Sequence, residues 1–241
     1  MTDKITANVP EKSESEGAST AEDLKTIVES GYDAIAPTYL AWSAPRPTTT
    51  RIAYLTKLIT LLPLGASVLE LGCGAGVPST QLLTQHDLKV TGVDISAAQI
   101  ALAREHVPKA TLIHVDMMKL TFEPESFNAV VAFYSIFHLP REEQGEMVKQ
   151  IVGWLKPGGI LLFNLGTEEG DQIRDDWMGT KMFSTGLGLE GNREMLKKSA
   201  VGLDVEDEVA AEKVGSMEVM FHWVWAVKKI GDGEDGQQKN S

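Results

Sequence analysis

Residues 67–76 read Ser-Val-Leu-Glu-Leu-Gly-Cys-Gly-Ala-Gly, and no other stretch limits the possible folds so sharply. An apolar β-type run (Val68, Leu69, Leu71) enters three alternating glycines, Gly72, Gly74 and Gly76, and a helix-like segment opens at Val77-Pro78-Ser79. Glycines at a strand-to-helix turn permit positive φ and let a ligand lie against bare main chain. A dinucleotide-binding turn needs its third glycine one residue later, so this spacing is a different device. Glu70 reinforces the distinction. A carboxylate beside the turn repels a pyrophosphate and suits a cationic, aminated ligand.

From there strands and helices alternate. Val68–Leu71, Lys89–Asp94, Thr111–Val115, Phe127–Phe133 and Ile160–Leu165 read as strands, the fourth buried on both faces through Ala129-Val130-Val131-Ala132-Phe133. Helices are predicted over Pro78–Gln85, from a Ser96 cap to about His106, and over Arg141–Leu155. Five strands with intervening helices imply an α/β fold, a doubly wound, mostly parallel sheet with right-handed crossovers. Two late strands, around Leu203–Val209 and Glu218–Val227, are joined by too short a link for a crossover helix and are expected to pair antiparallel. Val219, Phe221, Trp223, Trp225 and Val227 share one face, and Met220, Val224 and Ala226 lie on the other, which places the last strand inside the sheet. Residues 168–200 read as polar and irregular, with one helix near Asn192–Ser199.

Upstream, residues 22–42 have helical periodicity, but Gly31 and Pro37 interrupt it, so two short pieces are expected. Pro45 and Pro47 mark a break, and residues 48–62 form an amphipathic helix ended by Pro63. Residues 1–20 and 231–241 have almost no large apolar side chains and are expected to be disordered, leaving one domain over 21–230 with helices at 21–62 and a core at 63–230. The formal net charge is −12, half of it in the two ends. An acidic body disfavours nucleic acid and anionic membrane surfaces as partners. With no secretory h-region, no run of membrane-spanning length and a lone cysteine, Cys73, read as an apolar filler, a cytoplasmic protein is expected. The oligomeric state is not legible.

Open α/β sheets bind ligands beyond the carboxyl ends of their strands. The second strand ends at Asp94, where a carboxylate can accept both ribose hydroxyls, a demand common to nicotinamide dinucleotides and adenosyl ligands. The third ends near Asp116, which can accept from an exocyclic amine, while Ile95 and Met117 offer apolar faces to a purine. A carboxylate-flanked turn with no provision for phosphate points to S-adenosyl-L-methionine, which carries an ammonium and a sulfonium.

Val-Leu-Glu-Leu-Gly-Cys-Gly-Ala-Gly at 68–76, Gly-Val-Asp-Ile-Ser at 92–96, Asp116, Phe-Tyr-Ser-Ile-Phe-His-Leu at 133–139 and Leu-Lys-Pro-Gly-Gly at 155–159 together resemble a class I, seven-stranded S-adenosylmethionine-dependent methyltransferase of the small-molecule type. The resemblance covers roughly residues 30–230 and implies strand order 3-2-1-4-5-7-6 with strand 7 antiparallel. It also implies that Glu70 meets the methionine ammonium, Gly72, Gly74 and Gly76 approach the amino-acid part, Asp94 holds the ribose and Asp116 the adenine amine. Residues 32–42 are similar to a lid helix, with Tyr39 facing the sulfonium. Tyr134 lies near the cofactor or acceptor. His138 stands where relatives place residues beside the acceptor, and it is the candidate general base. His222 reads as a core residue. No metal site is read from the chain. The acceptor is expected to be a small, partly apolar metabolite methylated at O, N or S, with Asp176-Trp177-Met178-Gly179 and Lys181-Met182-Phe183 supplying its surface. The alternative is a regulatory or scaffold protein that binds the cofactor without turnover.

Overall fold

In the computed structural model the described residues are 19–44, 49–214 and 217–231. The break at Pro45 and Pro47 and almost all of both expected tails lie outside them. In chain order the elements are α1 (Ala21–Ser43), α2 (Thr49–Leu61), β1 (Ser67–Leu71), α3 (Ser79–Gln85), β2 (Lys89–Asp94), α4 (Ala97–His106), β3 (Thr111–His114), β4 (Phe127–Ala132) and α5 (Arg141–Trp154). There follow β5 (Leu155–Gly166), β6 (Glu169–Trp177), β7 (Thr180–Leu187), α6 (Gly188–Ser199), β8 (Leu203–Val214) and β9 (Met217–Lys228).

Seven strands form one sheet in the order β3-β2-β1-β4-β5-β9-β8, and β6 pairs with β7 in a separate hairpin. The first five strands are parallel. β9 runs antiparallel between β5 and β8, with Leu162 opposite Trp225 and Glu208 opposite Trp223. This is the expected topology, with the last strand inside the sheet. Alternation sorts the strand residues onto two cores. Leu69, Leu71, Val130, Phe163 and Val224 pack with Met147, Ile151 and Leu196 of α5 and α6. Val68, Val131, Leu162, Trp223 and Trp225 pack with Leu55 and Leu58 of α2 and Leu83 of α3.

Three expectations are corrected. The segment expected in two pieces is one helix, α1, containing Pro37. Pro37 is exposed and lacks an N–H, so it removes a single backbone bond. A Thr20–Asp23 capping box and the buried Val28, Ile35 and Ala36 fix the helix on both sides of Gly31. Gly31 does not break the helix. It lets α1 cross β7 closely, for a Cβ there would lie 2.7 Å from the Lys181 carbonyl oxygen.

The segment read as irregular holds β6 and β7, joined at Met178-Gly179 with φ of 56° and 89°, which is the backbone of a tight two-residue hairpin turn. Finally, β5 begins at Leu155, which pairs with Phe127 before Lys156–Gly159 bulges out and pairing resumes at Ile160 and Ala129.

Candidate functional site

Beyond the carboxyl ends of β1 and β4 lies a cavity of about 500 Å³. Its floor is the glycine turn. Gly72 and Cys73 donate their N–H groups to the Val93 carbonyl (2.8 and 2.9 Å), tying the turn to β2. Gly72 has φ of 74°, and a Cβ there would lie 2.3 Å from the Ser135 Cβ. Gly74 has φ of 55°, and a Cβ there would meet the Gln99 Oε1 at ordinary contact distance, 3.8 Å. Gly76 is not among the cavity's lining residues; a Cβ there would lie 2.6 Å from Val107 Cγ2, so its bare Cα lets the end of α4 pack closely. The Cys73 thiol is buried and raised well above its ordinary value by that burial, consistent with a filler.

Glu70 is 3% exposed and lines the cavity. The Thr80 hydroxyl donates to its Oε2 at 2.5 Å. Burial lifts its carboxyl to about 7, against the pull of Thr80 and the Arg51 guanidinium. Asp94 accepts from Gly74 N (2.8 Å) and Ser96 N (2.9 Å), and burial lifts it to about 6.

Asp94, Ile95, Asp116 and Met117 sit together around a second, smaller void of about 30 Å³, room for about two waters. Its closure comes from α1. Lys25 Nζ donates to Asp116 Oδ2 (2.8 Å) and to Glu143 Oε1 (3.1 Å), while Met118 N donates to Asp116 Oδ1. Asp33, also on α1, accepts from Ser96 Oγ (2.6 Å) and Ala98 N (3.0 Å) at the start of α4. The sequence reading missed Lys25 and Asp33 because the contacts join elements some 91 and 63 residues apart.

The roof is aromatic. Tyr39 lies with its ring centroid 5.3 Å from Tyr32, 5.6 Å from Trp177 and 5.9 Å from Trp42. His138 closes one side. Its Nδ1 is 2.6 Å from the Phe183 carbonyl, which can only accept, so Nδ1 carries the proton and Nε2 accepts from the Tyr32 hydroxyl at 3.0 Å. Burial lowers the His138 imidazole to about 4. Tyr134 has φ of 56°, an uncommon backbone for an aromatic residue, held by its N–H donating to Asn164 Oδ1 at 2.7 Å. Its hydroxyl donates to Glu212 Oε2 at 2.5 Å. Gln99 and Glu212 also line the cavity and were not singled out from the sequence. The signal for Gln99 was a polar residue beside the buried Ile100 and Ala103 face of α4.

Residues 68–159 match a family model described as a methyltransferase domain. The chain is 34% identical over 121 residues to the 27-O-demethylrifamycin SV methyltransferase of Amycolatopsis mediterranei, covering 47% of this chain and 43% of that protein. It is also 34% identical over 118 residues to the ubiquinone biosynthesis O-methyltransferase of Coxiella burnetii, covering 47% of this chain and 48% of the other. The chain therefore spans less than half the length of these relatives. Its fold superposes with a TM-score of 0.65 on the Burkholderia thailandensis 1,6-didemethyltoxoflavin-N1-methyltransferase, solved with 1,6-didemethyltoxoflavin and S-adenosylhomocysteine. That match covers 93% of this chain and 94% of that one at 14% identity.

Residues 68–159 form a methyltransferase domain, set in a fold shared with solved S-adenosylmethionine-dependent methyltransferases. The cofactor of such methyltransferases is S-adenosylmethionine, and the residues expected to meet it are unevenly placed. At the glycine turn, a buried carboxyl raised to about 7 by desolvation beside bare main chain suits an ammonium-bearing ligand. Asp116, expected at the adenine amine, is engaged by Lys25. Among the described residues no helix is long and apolar enough to cross a membrane, and no three metal-ligating side chains cluster.

Proposed function

We propose that the protein transfers the methyl group of S-adenosylmethionine to a hydroxyl oxygen of a small, largely aromatic molecule. The observation that carries this reading is the continuity of one cavity, in which Glu70, Gly72 and Gly74 share walls with Trp42, Phe137 and Phe221. Oxygen is favoured over nitrogen by the two relatives, whose names place their chemistry at oxygen.

Bound there, S-adenosylmethionine supplies an electrophilic methyl on a positively charged sulfur. Glu70 faces its ammonium, and Gly72 and Gly74 leave main chain bare beside the amino-acid part. Asp94 keeps two unused lone-pair sites for ribose hydroxyls beyond its two backbone donors. Asp116, Ile95 and Met117 hold the adenine once Lys25 moves aside. Tyr39 turns its ring to the sulfonium side, and α1 serves as the lid that excludes water. For His138 we infer a positioning role in place of the general base expected from sequence. An imidazole near 4 with both nitrogens committed is a weak proton acceptor at neutral pH, but it fixes the Tyr32 hydroxyl on the lid. An acidic folded body leaves nucleic acid and anionic membranes outside the proposed partners, with a cytoplasmic small molecule as the substrate.

Titration calorimetry with S-adenosylmethionine, S-adenosylhomocysteine and NAD, followed by transfer of labelled methyl to a panel of phenols, arylamines and thiols, tests this. The expected result is binding of both adenosyl compounds, none of NAD, and label in O-methyl products. Binding of NAD instead overturns the cofactor. Binding of S-adenosylmethionine with no label transferred leaves a scaffold and overturns the enzyme.

A further inference from the structure

We propose that Glu212 is the residue that selects a hydroxyl acceptor and takes its proton. The inference rests on the O-methyltransferase reading above. Glu212 lies on β8, opposite Val219 of β9, and is 7% exposed at the wall of the large cavity. One carboxylate oxygen, Oε2, accepts from the Tyr134 hydroxyl. The other, Oε1, is buried without a well-formed hydrogen bond among the described residues, and its neighbouring donor is the Trp223 indole, whose Nε1 is likewise unmatched. A buried carboxylate oxygen without a well-formed hydrogen bond is costly and calls for a donor. Tyr134 occupies one oxygen, and the second, held only loosely by the Trp223 indole, is the one a hydroxyl ligand would engage.

Placement supports the same role. Ser135, the neighbour of Tyr134, packs on Gly72 and donates its hydroxyl to the Leu71 carbonyl at 2.8 Å. Consecutive residues, Ser135 and Tyr134, thus contact the glycine turn and the Glu212 carboxylate respectively. Arg51 sits 5.3 Å from the Tyr134 ring centroid and faces the same corner. Burial raises the Glu212 carboxyl, with Tyr134, Arg51 and the Trp223 indole pulling it back. A raised carboxyl matches a weakly acidic hydroxyl better than an ordinary one. His138, neutral and with both nitrogens engaged, offers no such free acceptor.

In the step, Glu212 Oε1 takes the phenolic proton as the O–H bond breaks, and the oxygen's electron pair forms the bond to the methyl carbon. The C–S bond of the sulfonium breaks with its pair left on sulfur, giving a neutral thioether. The proton leaves Glu212 to solvent with the product.

The test uses the full chain and Glu212→Gln, which keeps size and removes the basic oxygen. Acceptors are phenol, 4-chlorophenol, 4-nitrophenol and pentafluorophenol, in rising acidity. At neutral pH the variant is expected to lose about 100-fold in kcat/KM for phenol and little for pentafluorophenol, which is already ionised. Without turnover, calorimetry on the S-adenosylhomocysteine complex is expected to give weaker phenol binding with cofactor affinity unchanged. An equal loss across the series, or no loss, overturns the proposal. Wild-type protein that binds S-adenosylmethionine but methylates none of the phenols sinks the hydroxyl reading itself, a failure visible without any variant. Glu212→Asp, with its charge on a shorter arm, covers a fold defect in Glu212→Gln. Partial recovery for phenol sustains the role of the carboxylate, and loss equal for all four phenols removes it.

Discussion

The two walls of the large cavity are built on different principles. The wall proposed for the cofactor is main chain: Gly72, Cys73 and Gly74 are tied to Val93 and Asp94 by backbone N–H groups within the β1-turn-α3-β2 unit. The acceptor wall is side chains brought from far apart, Tyr32 and Trp42 on α1, Trp177 on the hairpin, Tyr134 after β4, and Glu212 and Phe221 on β8 and β9. A backbone cradle is hard to vary without unfolding the turn. A wall of side chains on separate elements can change its shape while the sheet stays intact. On the proposed function, the nucleoside, common to the whole family, is gripped by the first kind and the acceptor is chosen by the second.

The largest expected effect lies where the cradle is tightest. In Gly72→Ala the new Cβ meets the Ser135 Cβ at 2.3 Å, on a backbone of positive φ. The strain of that conformation alone is about 1–2 kcal/mol, and the overlap adds to it. Cofactor binding by calorimetry is expected to fall beyond about 100-fold, with a lower Tm. A side-chain change on the acceptor wall such as Glu212→Gln should leave cofactor binding unchanged. Near-normal binding by Gly72→Ala would erase the distinction between the walls.

A second effect separates them by pH. Burial raises the Glu70 carboxyl to about 7 against an ordinary 4.5. Between those values the folded state holds a proton that the unfolded chain has released, so this group's contribution to stability falls as pH rises through the window. An ammonium ligand favours the ionised form. Cofactor affinity is therefore expected to rise with pH up to about 7, by as much as about tenfold per unit, and then flatten. Below about 6, Asp94 adds to the slope in the same direction. Calorimetry across this range should show the slope above pH 6 vanish in Glu70→Gln and persist in Glu212→Gln.

The same division governs what the sequence could convey. The cofactor wall was legible because each part is local: an apolar run, a glycine spacing, and acids at the ends of β2 and β3. The hairpin was not. β6 carries Glu169, Asp171, Arg174, Asp175 and Asp176, so no apolar alternation marks it, and its turn at Met178-Gly179 has only one of two positive-φ residues as glycine. Gly31 read as a breaker because the close approach of β7 that requires it is a tertiary fact. Glu212 was hidden among the acids of β8, where Asp204, Glu206 and Glu208 precede it. Only the register against β9 turns it toward the cavity.

The smallest expected effect probes the boundary where the lid helix reaches into the cofactor wall. Lys25, with its side chain 10% exposed, pairs with Asp116, 8% exposed, and with Glu143. In the proposed binding mode the adenine amine donates to that same Asp116, so ammonium and adenine compete for one carboxylate. Lys25→Met keeps the aliphatic stem and removes the charge. Two carboxylates then lose their partner, and the ligand-free fold is expected to lose stability, by about 1–3 kcal/mol. The cofactor no longer has to displace an ion pair, so its affinity is expected to rise about three- to tenfold, equivalent to roughly 0.7–1.4 kcal/mol. The two shifts have opposite signs, which a merely structural lysine would not produce. Calorimetry beside thermal melts, each with and without S-adenosylhomocysteine, reads them separately. Weaker binding in Lys25→Met would mean that the lysine supports the adenine pocket rather than closing it.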